Sequence, residues 1–171
     1  MKEVRPTSGR VLSALFNILG DKVEGSKFLD LFAGTGHVGF EALKRGAESC
    51  VFVENVKLRA ENIKKTAPEE NSIILSLEIR RAVSWLVKRG MKFNIIFADP
   101  PYNSGWCGEI LTLQNFEKLF DDESIFIIEH SIREKMNINN ENFELISTRE
   151  YGETCLTFVN LSRLKSRASR R

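Results

Sequence analysis

Apolar positions along the chain alternate between short continuous runs and stripes at helical spacing. Lys27 to Phe32 (KFLDLF) is a short apolar run stopped by Ala33 and Gly34, which predicts a buried strand. In the following GHVGFEALKRGA, Val38, Ala42 and Leu43 share one helical face and Gly46 supplies the stop. Ser49 to Val53 reads as a second strand. Val56 to Thr66 reads as a surface helix that buries Leu58 and Ile63 and ends before Pro68. Ser72 to Ile79 is expected as the third strand and Ala82 to Arg89 as the third helix of the alternation. Lys92 to Ala98 (KFNIIFA) is the fourth strand, Glu109 to Phe120 a loose helix, and Ser124 to Glu129 the fifth strand. The pattern then changes. Phe143 to Tyr151 and Thr154 to Leu161 are extended runs separated by Gly152 and Glu153, a hairpin signature. Ahead of the first strand, Val11, Leu12, Leu15, Ile18 and Leu19 recur at helical spacing within Arg10 to Leu19.

Five strand-then-helix units followed by a hairpin predict an α/β fold: a doubly wound, Rossmann-like sheet of seven strands whose last strand runs antiparallel. A length of 171 residues suits one domain, expected over residues 1–162. Hydrophobic residues make up 42% and charged residues 28% of the chain, the balance of a globular protein. No apolar run approaches the roughly 18 residues of a membrane span and no signal peptide is evident, so a cytoplasmic protein without a membrane partner is expected. Cys50, Cys107 and Cys155 are odd in number and widely spaced, which predicts free thiols and neither a disulfide framework nor a metal site. Charge is distributed unevenly. The segment RLKSRASRR, residues 163–171, holds five Arg or Lys and no acid, so the rest of the chain is net negative although the whole carries +2. Such a tail is either a solvated end or a phosphate-binding arm.

In an open α/β sheet, ligands bind outside the carboxyl ends of the strands, where strand order reverses. The first strand runs into DLFAGTGHVG, which contains G-x-G-x-x-G at Gly34, Gly36 and Gly39. Glycines there let the backbone turn tightly and approach a nucleotide. The second strand ends on Glu54, where an acid can accept from both ribose hydroxyls. Two cofactors fit, a nicotinamide dinucleotide and S-adenosylmethionine. Asp30 favours the second, because a carboxylate there would repel a pyrophosphate but can accept from an ammonium group. His37 reads as a helix-start residue.

The fourth strand ends FADPPYNSG. A single Asp-Pro would be read as a turn; two prolines make a stiff rim with fixed carbonyl directions, and Tyr102 adds a flat face. An aromatic amine is a weak nucleophile because its lone pair is delocalised into the ring. If Asp99 and the Pro100 carbonyl each accept one N–H, the nitrogen is drawn toward tetrahedral geometry and its lone pair is aimed away from them. Tyr102 then stacks on the base and holds it in line.

Asp-Pro-Pro-Tyr after the fourth strand, with the glycine loop before it, resembles the amino-methyltransferases acting on adenine N6 or guanine N2. RPTSGRVLSALFNIL, FLDLFAGTGHVGFEALKRGA, FVEN, DPPY and YGET together resemble the bacterial RsmD family, which methylates guanine N2 in small-subunit ribosomal RNA. The resemblance implies a class I methyltransferase fold and S-adenosylmethionine as cofactor. It implies that Asp30, Ala33, Gly34 and Gly36 line the methionine end and that Glu54 and Asn55 attend the ribose. Thr7 would fold over the cofactor with the rest of the RPT segment, while Asp99, Pro100 and Tyr102 receive the guanine. Arg5, Arg10, Pro101, Arg167 and Arg170 would meet the RNA, either ribosomal RNA itself or a small-subunit assembly intermediate, and the enzyme would act as a monomer. Two departures carry expectations. The family's basic stretch before RPT is missing, which gives the basic tail a compensating role. The acid that usually opens the helix after the third strand, expected to accept the adenine amine, is replaced by Arg81, which implies weaker adenine binding.

The residues alone also allow transfer to another planar amine such as adenine N6, hydride transfer on a nicotinamide, or RNA binding without catalysis. Hydride transfer gives no use for Asp99-Pro100-Pro101-Tyr102 or for Asp30.

Overall fold

A computed structural model describes residues 8–136, 138 and 140–162. Thr7 and Arg5, and with Arg167 and Arg170 the whole basic tail, lie outside the described residues.

Seven strands form one sheet in the order β3-β2-β1-β4-β5-β7-β6. They are β1 (Lys27–Leu31), β2 (Ser49–Val53), β3 (Ser72–Leu75), β4 (Phe93–Ala98), β5 (Phe120–Ser131), β6 (Phe143–Tyr151) and β7 (Thr154–Leu161). The first five run parallel, and β7 inserts antiparallel between β5 and β6. Order reverses between β1 and β4, as expected for a doubly wound sheet. The helices are α1 (Gly9–Leu19), α2 (His37–Lys44), α3 (Lys57–Thr66), α4 (Ile79–Lys88) and the short α5 (Trp106–Glu109).

The central strands are buried on both faces, which explains why they read as continuous apolar runs and not as alternating ones. On one face Phe28, Cys50, Phe52, Ile95 and Phe97 pack under α1, α2 and α3; on the other Leu29, Val51, Ile96 and Ile128 pack under α4 and the segments after β4. Phe116, Phe120, Phe126 and Phe143 form edge-to-face and tilted pairs within the second layer, with centroids 5.3–6.5 Å apart. Gly39 is required by this packing. A Cβ there would lie 2.3 Å from Phe52 Cε1 and 2.7 Å from Cys50 Sγ, so α2 can approach β2 only without a side chain. All three cysteines are buried free thiols.

Several expectations are corrected. The third strand stops at Leu75 and α4 starts at Ile79, because Glu78 caps the helix by accepting from the amides of Arg80 at 3.0 Å and Arg81 at 3.4 Å. The loose helix after β4 breaks into α5 and two 3-10 turns, Ile110–Thr112 and Phe116–Leu119, with a left-handed Asn115 between them. β5 is longer than expected, and among the described residues no helix follows it. Leu58 is 65% exposed; α3 docks instead through Ala60 and Ile63. The hairpin turn at Gly152 and Glu153 is as expected, with Gly152 left-handed at φ 64°.

Candidate active site

The register pairs Leu31 of β1 with Ala98 of β4, so the glycine loop and the Asp99–Tyr102 segment leave the sheet side by side at the switch point. Asp30 is 1% exposed and its Oδ2 accepts from the Gly39 amide at 3.0 Å. This bond ties the strand to the first turn of α2. Burial pushes the Asp30 carboxyl up to about 7, the Gly39 amide opposes that rise, and the nearby Glu54 adds to it. Glu54 is also buried, and both its oxygens are engaged: Oε2 accepts from the Gly34 amide and Oε1 from the Val56 amide, each at 2.8 Å. Arg59 lies 3.9 Å from Oε1. Glu54 therefore fixes the glycine loop to the end of β2, a role its sequence position did not disclose.

The glycine loop turns through left-handed Gly34 and Gly36, at φ 59° and 81°. Phe32 is left-handed as well, at φ 59°, a conformation that costs a non-glycine residue on the order of 1 kcal/mol. The edge contact of its ring with Trp106, centroids 5.3 Å apart, holds it there. The first strand consequently ends one residue earlier than the apolar run suggests. Ala33 is buried, while Asn55 and Arg10 are exposed. Burial holds the His37 imidazole below its usual range; its Nδ1 meets Thr35 Oγ1 at 3.2 Å and its buried Nε2 has no partner among the described residues.

Across from the glycine loop, Pro100 is buried, Pro101 is exposed, and Tyr102 is 41% exposed. The Tyr102 hydroxyl lies 3.1 Å from Thr154 Oγ1, a partner that stacking alone does not call for. The next residue, Asn103, is left-handed at φ 56°, and its amide donates to Glu134 Oε1 at 3.0 Å. Further along, Trp106 lies under the Arg80 guanidinium at 4.8 Å, and Arg80 pairs with Glu109. The loop after β4 is thus tied to α4, to the turn after β5 and to β7.

Arg81 is exposed, and the acid that opens α4 is Glu78. The sequence pattern concealed it because the helix begins three residues earlier than the apolar stripe indicates. Glu134, Arg80 and Thr154 were also missed. Thr154 had a signal, the YGET segment; Glu134 and Arg80 had none. Among the described residues, no group of three or more His, Cys, Asp or Glu is placed to hold a metal, and no helix is long and apolar enough to cross a membrane.

A doubly wound sheet with this order, an antiparallel seventh strand, a glycine loop and an acidic second strand end define a methyltransferase-type α/β protein. The family model described as conserved hypothetical protein 95 matches residues 1–160, and the chain belongs to that family, the RsmD family anticipated above. The chain is 33% identical over 136 residues to the ribosomal RNA small subunit methyltransferase D of Buchnera aphidicola from Acyrthosiphon pisum, covering 78% of this chain and 70% of that one. It is 30% identical over 129 residues to the protein of the same description from Escherichia coli K12, covering 75% of this chain and 65% of that one, just under two thirds of its length. A solved Escherichia coli protein described as a candidate methyltransferase superposes with a TM-score of 0.77 at 26% identity, over 95% of this chain and 90% of that one. The Thermus thermophilus 16S rRNA N2 G1207 methyltransferase, solved with AdoMet and guanosine, superposes with a TM-score of 0.68 at 22% identity, over 94% of this chain and 44% of that one.

Proposed function

We propose that the protein transfers a methyl group from S-adenosylmethionine to the exocyclic N2 amine of a guanine in small-subunit ribosomal RNA. The observation that carries this reading is the register of β1 with β4, which sets the glycine loop directly beside Asp99-Pro100-Pro101-Tyr102. Family membership and the names borne by the Buchnera and Escherichia relatives support ribosomal RNA as the acceptor. The likeness in fold to a guanine-N2 enzyme solved with its cofactor and guanosine agrees with it.

The residues present suit the cofactor. The loop turns through left-handed Gly34 and Gly36, and Gly36 and Gly39 let it lie close against Phe40, Ile63, Phe52 and Cys50, which leaves backbone to line the cradle. Two buried carboxylates, Asp30 and Glu54, sit at its ends, a donor set that fits a cationic amino-acid end and a ribose and does not fit a pyrophosphate. We assign Asp30, Ala33, Gly34 and Gly36 to the methionine end and Glu54 with Asn55 to the ribose. When bound, adenosylmethionine supplies an electrophilic methyl group on a sulfonium. Asp99 and the Pro100 carbonyl accept the two N–H groups of the guanine amine and turn its lone pair toward the glycine loop. The exposed Tyr102 ring stacks on the base. With the cofactor bound, the N–C bond would form as the methyl carbon's bond to sulfur breaks and leaves a neutral thioether; the amine would then shed one proton, and Asp99 is the group assigned to take it. Pro101 and Arg10, both exposed, are assigned to the RNA side, as are Arg5, Arg167 and Arg170 from the sequence.

The test is to incubate the protein with unmodified small subunits and methyl-labelled cofactor, digest to nucleosides and separate them by mass and retention. Label in N2-methylguanine is expected. Label only in N6-methyladenine, DNA or protein would overturn the acceptor while sparing the reaction class.

A further inference from the structure

The loop that carries Asp99 to Tyr102 is anchored from outside the two motifs that define the site. Its anchors lie in the turn after β5 and at the start of β7. Thr154 pairs in register with Ser131 at the end of β5 and with Tyr151 across the hairpin, so its backbone is held in the sheet on both sides. From there it reaches the Tyr102 hydroxyl at 3.1 Å. The turn after β5 is itself closed by the Glu134 amide donating to the Ser131 carbonyl at 3.0 Å. It is pinned to the hairpin by the Ile132 amide donating to the Glu153 carbonyl at 2.9 Å and by Arg133 meeting the Glu153 carboxylate at 3.1 Å. That turn presents Glu134, whose Oε1 accepts from the Asn103 amide. Burial, and after it the Glu134 carboxylate, push the Cys107 thiol up, which sets that carboxylate close to the chain beyond Gly105 as well.

The geometry needs such anchors. Asn103 is left-handed in the segment Tyr102-Asn103-Ser104-Gly105, and Gly105 is left-handed too, at φ 84°. Two prolines stiffen positions 100 and 101, but nothing in the local sequence fixes the torsions that aim the Tyr102 ring. A flat side chain that is 41% exposed can turn between rotamers about its own backbone. The hydroxyl bond at its far end removes that freedom.

We propose that Thr154 and Glu134 are positioning residues for the methyl acceptor: Thr154 sets the plane of the Tyr102 ring, and Glu134 sets the backbone that follows it. Neither touches the cofactor cradle, and both act through Tyr102 and Asn103. The proposal rests on the reading of Asp99–Tyr102 as the acceptor rim.

The experiment compares Thr154→Val, Thr154→Ser, Glu134→Ala, Glu134→Gln, Tyr102→Phe and the double variant Tyr102→Phe with Thr154→Val. Turnover on unmodified small subunits, adenosylmethionine affinity by calorimetry and amide hydrogen exchange at Asn103 are measured on each. Thr154→Val, Glu134→Ala and Tyr102→Phe are expected to lower kcat roughly tenfold, the scale of a lost positioning hydrogen bond, with cofactor affinity unchanged. Thr154→Ser and Glu134→Gln keep an acceptor or hydroxyl in place and should retain turnover. The double variant should be no slower than either single one, because both remove the same bond. Asn103 exchange should accelerate in Glu134→Ala and not in Glu134→Gln. Full turnover in Thr154→Val and Glu134→Ala, equal loss in the conservative variants, or loss of cofactor affinity alongside would overturn the proposal. If the unaltered protein transfers no methyl to small subunits while Asn103 exchange responds as described, the acceptor assignment fails and the clamp stands.

Discussion

Asp30 offers a quantitative test of how the cradle is built. Its carboxyl is buried on the sheet face that carries Phe28 and Cys50, with one amide partner, Gly39, and with the Glu54 carboxylate nearby, and it is pushed from 3.8 up to about 7. Below about pH 4 the group is protonated in the native and the unfolded chain alike and costs nothing. Between about pH 4 and 7 the unfolded chain has released the proton that the native chain keeps, so stability falls as pH rises, by at most about 1.4 kcal/mol per unit. Above pH 7 both forms are ionised and the penalty levels off near 4 kcal/mol, a shift of about three units at that slope. Asp30→Asn keeps the shape and an oxygen for the Gly39 amide but cannot ionise. Urea unfolding of both proteins without cofactor, from pH 5 to 8, isolates the term, because every other group titrates in both. The variant should gain on the parent by about 2–3 kcal/mol across that range, most of it before pH 7. Parallel curves would show that Asp30 is not desolvated in the folded protein and would refute the reasoning.

Glu54→Ala should weaken adenosylmethionine binding about tenfold to a hundredfold, since a hydrogen bond to a charged group is worth roughly 1.5–3 kcal/mol; calorimetry showing unchanged affinity would remove Glu54 from the site. Gly39→Ala should cost about 1–3 kcal/mol in urea unfolding, the usual range for overpacking, because its methyl would collide with Phe52 and Cys50 in a core that is fully buried. Deleting residues 163–171 should lower RNA affinity and flatten its salt dependence, by up to about 0.9 in log-log slope for each phosphate the tail neutralises; an unchanged slope would mark the tail as a solvated end.

How far the sequence could be read follows from where its signals are local. β2, β6 and β7 were legible to the residue because each is an apolar or alternating run bounded by a change of composition. The positions of the glycine loop, Glu54 and Asp99 at strand ends were legible because they follow from where the apolar runs stop. The segment after β4 was not. Its backbone is set by left-handed Asn103, Gly105 and Asn115, and by Phe116 burying itself between Phe120 and Phe143, and no periodicity announces packing of that range. Leu58 misled for the opposite reason. It is a large apolar residue, but it lies five residues from Ile63 and so off its face, while Ala60, three residues from Ile63, turns to the sheet and leaves Leu58 in solvent. Glu134 could not be found from sequence at all, because its importance comes only from the fold bringing it to Asn103.

The three buried thiols make the protein carry its own chemical reporters of opening. Cys50 lies beneath α2 in the cradle half, Cys107 behind the acceptor loop, and Cys155 in the strand that joins the hairpin to β5. A thiol reagent reaches a sulfur only when the structure above it comes away, so each site is a clock for a different local excursion. Read peptide by peptide in a mass spectrometer, slow labelling at Cys50 with faster labelling at Cys107 would mean that the acceptor side breathes while the cradle stays shut. Simultaneous labelling of all three would mean that the molecule opens only as a whole.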